Sequence, residues 1–402
     1  MKILHTSDWH LGQKFISWER EEEHALALDW LVATIEKEEV DLLVVAGDIF
    51  DIGNPPSSSR ALYYNFLKRL WKTTCRHIVI TGGNHDSPQM LDAPREILQI
   101  LNVHIIGKAT EDPADEIIVL KNEKGEPEAI VAAVPFLRDQ DLKRAVSGET
   151  SKDRIEKIRE GILAHYERVG EATELFKKNN IPLIVTGHLN VTGHEASHQQ
   201  DNIYLGNVEN IKADQFPDIF DYVALGHIHR PQFIGMEKVR YSGSLIPLSF
   251  SETKDDKSVT LILFEKNKIK KIEEIKLPIF RRLKTIEGSL EYVQERLEKL
   301  HHDYQEGLPS WVEVIVDSES LIPNLSSLLQ DFTRDFNLEI LKTRHRTSRY
   351  SLSEQMTHEE LDDLAPIDVF RKKCETSGRP PEDVEELVTT FRELEEWMRE
   401  KE

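Results

Sequence analysis

The stretch that decides the fold is DLLVVAGDIFD, residues 41–51. A short apolar run ends at Gly47, and two carboxylates, Asp48 and Asp51, follow within four residues. The run is continuous rather than alternating, which is typical of a strand buried on both faces of an α/β protein. Side chains directly after such a strand lie at its carboxyl end, where open α/β sheets bind their ligands. The stretch therefore predicts a buried strand that delivers acidic side chains to a site.

The same pattern recurs four more times in the first 230 residues, after the strand-like runs KILHTS, HIVITGG, PLIVTG and YVALG. A lone histidine after a strand is usually a structural residue, but five such exits predict one shared site on one sheet. A further run, EAIVAAV, and helical patterns at 19–38, 57–73, 91–100 and 153–178 complete an α/β sandwich. The candidate site residues are, in chain order, Asp8, His10, Asp48, Asn84, His85, His188, His227 and His229.

These residue types point to divalent metal ions. Carboxylate, imidazole and amide oxygen together suit manganese, iron or zinc, and the absence of cysteine argues against a structural zinc site. Two ions at such a site need one carboxylate that bridges them, and the pair can then activate water and stabilise an in-line displacement at phosphorus. Glycines precede Asp48, Asn84, His188 and His227. We interpret them as allowing the backbone to turn tightly so that the ligands approach the ions.

The rest of the chain predicts two further parts. Residues 257–277 form a hairpin that turns near Asn267, and Pro278 marks a boundary. The runs RRLKTIEG, SLEYVQERLEKL, WVEVIV, LSSLLQDFTRDF and LEILKT then predict a small βαβαβ unit. The predicted domains are a catalytic domain at 1–278, a capping domain at 279–343, and a linker with C-terminal helices at 344–402.

Composition limits the class of protein. The chain has 402 residues and a formal net charge of −21, and its last part, 350–402, holds 16 acidic and 7 basic residues. Such a chain is a poor free-standing DNA binder, so either a local patch such as 342–349 contacts nucleic acid or a partner supplies the basic surface. Cys75 and Cys374 form no paired motif, which fits a reducing cytoplasm. No apolar run approaches the roughly 20 residues of a membrane span.

Taken together, D-x-H, G-D-x-x-D, G-N-H-D, G-H and G-H-x-H resemble the motifs of calcineurin-like metallophosphoesterases over about residues 1–230. More narrowly, the chain resembles the SbcD family of bacterial nuclease subunits over nearly its whole length. The stretches that carry this resemblance are HTSDWHLGQ (5–13), VAGDIFDIGNPPS (45–57), GGNHDS (82–87), ALGHIHR (224–230) and YSGSLIPLSF (241–250). The resemblance implies a two-sheet α/β sandwich of metallophosphoesterase type with a smaller capping domain.

The resemblance also implies a role for each site residue. One ion would be held by Asp8, His10 and His229, the other by Asn84, His188 and His227, and Asp48 would bridge them. Manganese is the expected metal. His85 would act on the phosphate or the leaving oxygen as a general acid. Some relatives carry a second histidine at the position of Asp51, so the role of that residue here stays open; it could orient a ligand through a hydrogen bond.

Activity and partners follow from the same resemblance. It implies a metal-dependent DNA nuclease of DNA end processing, repair and recombination, with double-strand 3′–5′ exonuclease and single-strand or hairpin endonuclease activity. The implied partners are DNA, an SbcC-like coiled-coil ATPase and a second copy of the chain, within a heterotetramer at the nucleoid. The chain has no G-x-x-x-x-G-K-[ST] loop, so ATP hydrolysis must come from another protein. An amphipathic helix over 384–398 is expected to dock on the ATPase, or else to pack on its own core.

Two other functions compete with this interpretation. A phosphatase or small-molecule phosphodiesterase of the same fold would typically read G-D-x-x-D-R-G and G-N-H-E, whereas Ile52 and Asp86 stand at the decisive positions here. A non-catalytic scaffold would predict eroded ligands, but all of the candidate ligands are present. His194 and His198 lie in a polar loop and are expected to be surface residues rather than part of the groove.

Overall fold

The computed structural model describes residues 1–142, 151–177, 181–193, 211–318 and 322–347, with residues 374, 384, 387, 388, 390 and 391. The strands are β1 Lys2–Thr6, β2 Lys14–Phe15, β3 Trp18–Glu19, β4 Leu42–Ala46, β5 His77–Thr81, β6 Val103–Ile106, β7 Ile117–Lys121, β8 Pro127–Ala132, β9 Leu183–His188, β10 Val191–Thr192, β11 Ile211–Lys212, β12 Tyr222–Gly226, β13 Gln232–Ile234, β14 Met236–Tyr241, β15 Ser258–Glu265, β16 Lys268–Lys276, β17 Leu283–Gly288, β18 Ser310–Ser318 and β19 Leu338–Thr347. The helices are α1 Glu21–Glu38, α2 Ser57–Leu70, α3 Pro88–Asp92, α4 Arg95–Gln99, α5 Asp139–Leu142, α6 Ser151–Lys177, α7 Leu290–Asp303 and α8 Leu325–Phe332.

Two six-stranded sheets form the centre of the molecule. The first has the order β16-β15-β1-β4-β5-β6, and the second has the order β13-β14-β12-β9-β8-β7. Neighbouring strands from β1 to β6 in the first sheet, and from β14 to β8 in the second, run parallel. Antiparallel pairs complete the first sheet at its β16 edge and the second sheet at both of its edges. The predicted α/β sandwich is therefore confirmed, with its site-bearing strands in two sheets.

The sheets pack face to face, and helices cover their outer faces. Along β4, Leu42 and Val44 point into the layer between the sheets, while Leu43 and Val45 point outward against α1 and α2. On the other side, α6 packs on the second sheet through residues such as Ile162 and Tyr166. Because each central strand is buried on both faces, its sequence is a continuous apolar run rather than an alternating one.

A separate small sheet follows in the chain. It has the order β17-β18-β19, with parallel pairing throughout, and α7 and α8 pack on it around a core of its own. The predicted order of strands and helices is confirmed, although β19 runs four residues further than expected, to Thr347. The predicted hairpin also forms, since Lys266 and Asn267 turn between β15 and β16 with positive φ.

Two expectations about elements need correction, and some strands were not predicted. The single helix predicted at 91–100 is two short helices, α3 and α4, because Pro94 lacks an N–H and begins the second one. The five strand exits were expected on one sheet, but β1, β4 and β5 belong to the first sheet and β9 and β12 to the second. Strands such as β6, β7 and β14, which extend the sheets outward, were not predicted.

The predicted C-terminal helices lie mostly outside the described residues. Val384, Leu387 and Val388 are helical and form a small cluster with Cys374. Leu394 and Met398 are beyond the described part. Cys75 and Cys374 are both buried. Burial raises the pKa of the Cys75 thiol to about 12. None of the described helices is both long and apolar enough to cross a bilayer.

Candidate metal centre

The candidate ligands converge where the carboxyl ends of the two sheets meet. Ligand atoms of Asp8, His10 and His229 lie within 4.8 Å of one another, as do those of Asp8, Asp48 and His188. The Asn84 Oδ1 atom lies 3.0 Å from His188 Nε2 and 3.2 Å from His227 Nδ1. All seven predicted ligands are thus gathered in one centre, although they come from distant parts of the chain.

Asp48 occupies the middle of this centre. Its Oδ2 atom lies 3.5 Å from His10 Nε2 and 3.2 Å from His188 Nε2, and so faces both groups of ligands. The other oxygen, Oδ1, accepts a hydrogen bond of 2.9 Å from the backbone N–H of His85. One carboxylate therefore stands between two sets of donors, which is the placement that a bridging ligand requires.

The backbone at the strand exits is strained. Asp8, His10, Asp48 and His227 all have positive φ, at 52°, 47°, 52° and 97°. Residues other than glycine rarely adopt this region, and they persist there when surrounding contacts hold them. Such contacts are present, because Asp8 N and His10 N donate to the carbonyls of Gly47 and Asp48. The strain turns the ligand side chains away from the strand direction and into the centre.

Each ligand histidine has a hydrogen-bond partner on one ring nitrogen. His188 Nδ1 donates to the Ala46 carbonyl at 3.0 Å, and His10 Nδ1 lies 3.1 Å from Asp51 Oδ1. His229 Nδ1 lies 3.4 Å from Glu252 Oε1, and His227 Nε2 lies 3.3 Å from the Asn190 amide. A partner on one nitrogen fixes the tautomer and leaves the other nitrogen for a metal ion. The nitrogens left for metal are therefore Nε2 of His10, His188 and His229, and Nδ1 of His227.

The electrostatics of the centre couple Asp48 to His188. Burial opposes the charge on each group, but their attraction and hydrogen bond prevail. The pKa of Asp48 is lowered well below its usual range, and the pKa of His188 is raised to about 9. Burial and the nearby His188 lower the pKa of His227 to about 4. Without metal, a proton on His188 thus takes the place of a cation beside Asp48.

Asp51 and His85 form a pair at the mouth of the centre. The Asp51 side chain holds His10, and its carbonyl accepts a 2.7 Å hydrogen bond from His85 Nδ1. His85 is exposed, and its ring packs edge-on against His10 with centroids 4.8 Å apart. Asp51 thus contacts His10 through its side chain and His85 through its backbone carbonyl, which is the placement that an orienting role requires.

Asp86 links the turn that follows β4 to the turn that follows β5. This buried carboxylate accepts hydrogen bonds from the N–H groups of Ile49, Phe50 and Gly83 at 2.9–3.1 Å. Burial, and then repulsion from Asp48, raise its pKa to about 6. The sequence analysis used Asp86 only as an argument against a phosphatase. In the structure it also fixes the backbone beside Asp48 and Asn84.

The glycines at the strand exits leave no room for a side chain. A Cβ atom on Gly47 would lie 2.2 Å from His188 Nδ1, one on Gly83 would lie 2.1 Å from Asp48 Oδ1, and one on Gly226 would lie 1.9 Å from the Ala46 carbonyl. Their interpretation as close-approach glycines agrees with these contacts.

These residues fit divalent metal ions. His10 Nε2 is buried, has no hydrogen-bond partner and faces the carboxylate of Asp48. An orphaned buried nitrogen beside a buried carboxylate is costly unless a cation joins them. The donors are oxygen and imidazole nitrogen, which suits hard-to-borderline divalent ions.

Several supporting residues were missed from the sequence. Asn190, Glu252 and Lys257 lie outside the motifs, and only their position in space connects them to the ligands. Asn190 follows His188 by two residues, so its closeness to the motif was the one available signal. Glu252 and Lys257 carry no such signal, because they reach the centre from a different segment.

Trp9 lies between two candidate ligands in the chain, but it is a core residue: it is fully buried, donates to Thr6 Oγ1 and packs against Phe66. Other residues singled out in the sequence lie elsewhere. The described part of the basic stretch belongs to β19, where Lys342, Arg344 and Arg346 form ion pairs with acids of the small sheet. His194 and His198 are outside the described residues.

Comparison with known proteins places this geometry in a family. Residues 1–231 match the model of the calcineurin-like phosphoesterase family, and residues 279–377 match the model described as type 5 capsule protein repressor C-terminal domain. The chain is 36% identical to the SbcD subunit of the SbcCD nuclease of Escherichia coli K12, over 93% of this chain and 92% of that protein. It is 38% identical to the Rhodobacter capsulatus protein of the same name and 35% identical to that of Bacillus subtilis, each over 65% of this chain and 66% of the relative.

The matched region spans all the strand exits of the metal centre, and the identity to the Escherichia coli protein extends over nearly the whole chain. The centre binds divalent metal, and the chain is a hydrolase of phosphodiester bonds. It belongs to the calcineurin-like phosphoesterase family and, within it, to the SbcD family of nuclease subunits.

Proposed function

We propose that this chain is a two-metal DNA nuclease that acts in DNA end processing as the catalytic subunit of an ATPase–nuclease complex. The observation that carries the proposal is the position of Asp48, whose Oδ2 atom faces His10 on one side and His188 on the other. One ion would be held by Asp8, His10 and His229, and the other by Asn84, His188 and His227. Manganese is the proposed metal. When bound, such a pair supplies a nucleophile at neutral pH and stabilises charge on the attacking and leaving oxygens.

His85 is the proposed general acid. It is exposed at the mouth of the centre, and its Nδ1 atom is engaged by the Asp51 carbonyl. Nε2 is then the atom that can give a proton to the leaving oxygen. Because His85 N donates to Asp48 Oδ1, the ring is held beside the carboxylate that both ions would share.

A DNA substrate is proposed because the curated relatives are named as parts of the SbcCD nuclease. The same name motivates an SbcC-like ATPase as the partner. The proposed location is the cytoplasm, at the nucleoid. Two acids near the centre are shielded from a DNA phosphate. Asp86 is buried beneath backbone N–H groups, and Glu252 pairs with Lys257. The phosphatase alternative is not favoured, since the exposed Ile52 stands where that class carries arginine.

A homodimer through the catalytic domain is also proposed. Trp71 at the end of α2 is 66% exposed, and Ile97 and Ile100 at α4 are 71% and 82% exposed. Trp71 and Leu101, the residue after Ile100, line one cavity of about 290 Å³. A cluster of large exposed apolar residues is typical of a protein–protein contact.

The proposed function is tested by DNA cleavage. Hairpin-ended duplex DNA would be incubated with manganese and the purified chain, alone and with an SbcC-like ATPase and ATP. Asp48→Ala should abolish cleavage, while the matched control Asp256→Ala, which removes an exposed acid paired with Lys276, should cleave normally. Retained cleavage in Asp48→Ala would exclude the proposed centre. No DNA cleavage by the wild-type protein under either condition, with a generic phosphodiester still hydrolysed, would favour a small-molecule phosphodiesterase.

A further inference from the structure

Glu252 contacts His229 from outside the strand-exit motifs. Its Oε1 atom lies 3.4 Å from His229 Nδ1, and its Oε2 atom accepts hydrogen bonds from Lys257 Nζ and from Leu248 N, the latter at 3.1 Å. Lys257 Nζ also donates to the His229 carbonyl at 2.9 Å. His229 is therefore held on its ring and on its backbone by one ion pair.

The segment that carries Glu252, residues 247–252, is held by the entry of the chain into α1. Arg20 donates to the Pro247 carbonyl at 2.6 Å, and Gln13 Nε2 donates to the Leu248 carbonyl at 3.0 Å. Arg20 in turn makes a two-pronged ion pair with Glu23 at 3.0 and 2.7 Å. Both side chains are almost completely buried, so this pair has one fixed arrangement rather than the mobility of a surface pair.

The small sheet contacts Glu23 and Phe15, and both of these connect it to residues 247–252. Arg281, just before β17, donates to Glu23 Oε2 at 3.1 Å and lies 4.1 Å from the ring centroid of Trp311 on β18. Trp311 packs against Phe15, which packs against Phe250, at centroid distances of 5.5 and 4.9 Å. Two routes, one ionic and one aromatic, thus lead from the small sheet to residues 247–252.

We infer that Glu252 is a positioning residue for His229, and that the seating of the small sheet through Arg281 and Trp311 sets the position of Glu252. The inference rests on the proposed function, in which His229 is a metal ligand. It gives the small sheet a part in the metal centre through residues 247–252. A displacement of the sheet would move this segment and turn His229 away from its ion, because the buried contacts between the sheet and the segment are closely packed.

The test measures manganese binding by titration calorimetry and does not depend on activity. Glu252→Gln should weaken one of two binding events by about 10- to 100-fold, as is usual for a residue that orients a metal-ligating histidine. Arg281→Met should weaken the same event by about 2- to 30-fold. The matched control is Arg334→Met, which removes an exposed arginine between α8 and β19 that pairs with Asp331. That control should bind manganese as the wild-type protein does.

A double variant decides whether the residues act together. Because Arg281 acts through Glu252, Arg281→Met in the Glu252→Gln background should cause little further loss, whereas independent effects would multiply. If Arg281→Met fails to fold, Trp311→Leu takes its place, because it removes the ring against which Arg281 and Phe15 pack and leaves an apolar side chain. Thermal unfolding shows which variants are intact. Unchanged manganese affinity in folded Arg281→Met or Trp311→Leu, with His229→Ala defective, would overturn the inference alone. Unchanged binding in His229→Ala would overturn the proposed function as well.

Discussion

At the scale of single residues, the chemistry of this centre is visible in the sequence because its ligands follow strands at once. Asp8, Asp48 and His188 are each within two residues of a strand end. The sequence could not show which ring nitrogen of each histidine is available to a metal ion. That choice depends on Ala46, Asn190, Asp51 and Glu252, which meet the ligands only in the folded chain.

The first prediction concerns His85. His85→Asn should lower phosphodiester hydrolysis by about 10²- to 10⁴-fold, the usual contribution of a general acid. Manganese binding should be unchanged, since the backbone N–H of residue 85 still contacts Asp48. Activity and metal affinity would be measured on the same preparation. Loss of manganese binding in this variant would mean that His85 is itself a ligand.

The second prediction concerns pH. The pKa of His188 in the metal-free fold is about 9, above its usual 6.5. A raised pKa means that the protonated form stabilises the fold; this contribution is complete below about pH 6.5 and is lost as pH rises through about 9. Urea unfolding of metal-free protein should show a loss of roughly 3 kcal/mol across this window. A His188→Gln protein should show a flatter profile, and an equal decline in both proteins would assign it to other groups.

At the scale of elements, continuous apolar runs were sufficient to identify the central strands, since β4 is buried along its whole length. Strands at or next to the edges of the sheets are harder to recognise. β7 and β14 have mixed burial and no ligand at their ends, and so lack both signals. The apolar pattern of residues 91–100 predicts one helix. Pro94 divides it, because proline lacks the N–H that a helix interior needs.

The third prediction compares two glycines with similar backbones. Gly47 and Gly125 have φ of 85° and 78°, but a Cβ on Gly47 would meet His188, whereas nothing lies within 4 Å of one on Gly125. Both Gly→Ala variants should lose about 1–2 kcal/mol of stability from the unfavourable φ. Only Gly47→Ala should also lose manganese binding, because His188 must move. Normal binding by Gly47→Ala would show that the close approach is not required.

At the scale of the whole molecule, the sequence identified the sandwich but placed the strand exits on one sheet. The ligands come from two sheets packed face to face, so the centre lies where the sandwich layers meet rather than at one sheet edge. Single-strand patterns do not indicate which sheet a strand joins. The division of the chain at residues 278 and 343 stays a prediction.

The fourth prediction concerns assembly. If the exposed apolar cluster at Trp71, Ile97 and Ile100 forms the homodimer contact, Ile97→Glu with Ile100→Glu should produce a monomer at micromolar concentration. Sedimentation equilibrium would measure this. The matched control is Phe233→Glu, which adds a charge at another exposed apolar position, 57% exposed on β13, and should leave the dimer intact. A dimer that survives the paired change would place the contact elsewhere.

The central claim is that Asp48 joins two metal ions in one centre, and the most direct test is the number of manganese ions bound per chain. Equilibrium dialysis should give two for the wild-type protein. Asp48→Asn should bind fewer than one at the same free manganese concentration, because both ions lose the charge that they share, while circular dichroism confirms the fold. Two tightly bound ions in folded Asp48→Asn would contradict the claim.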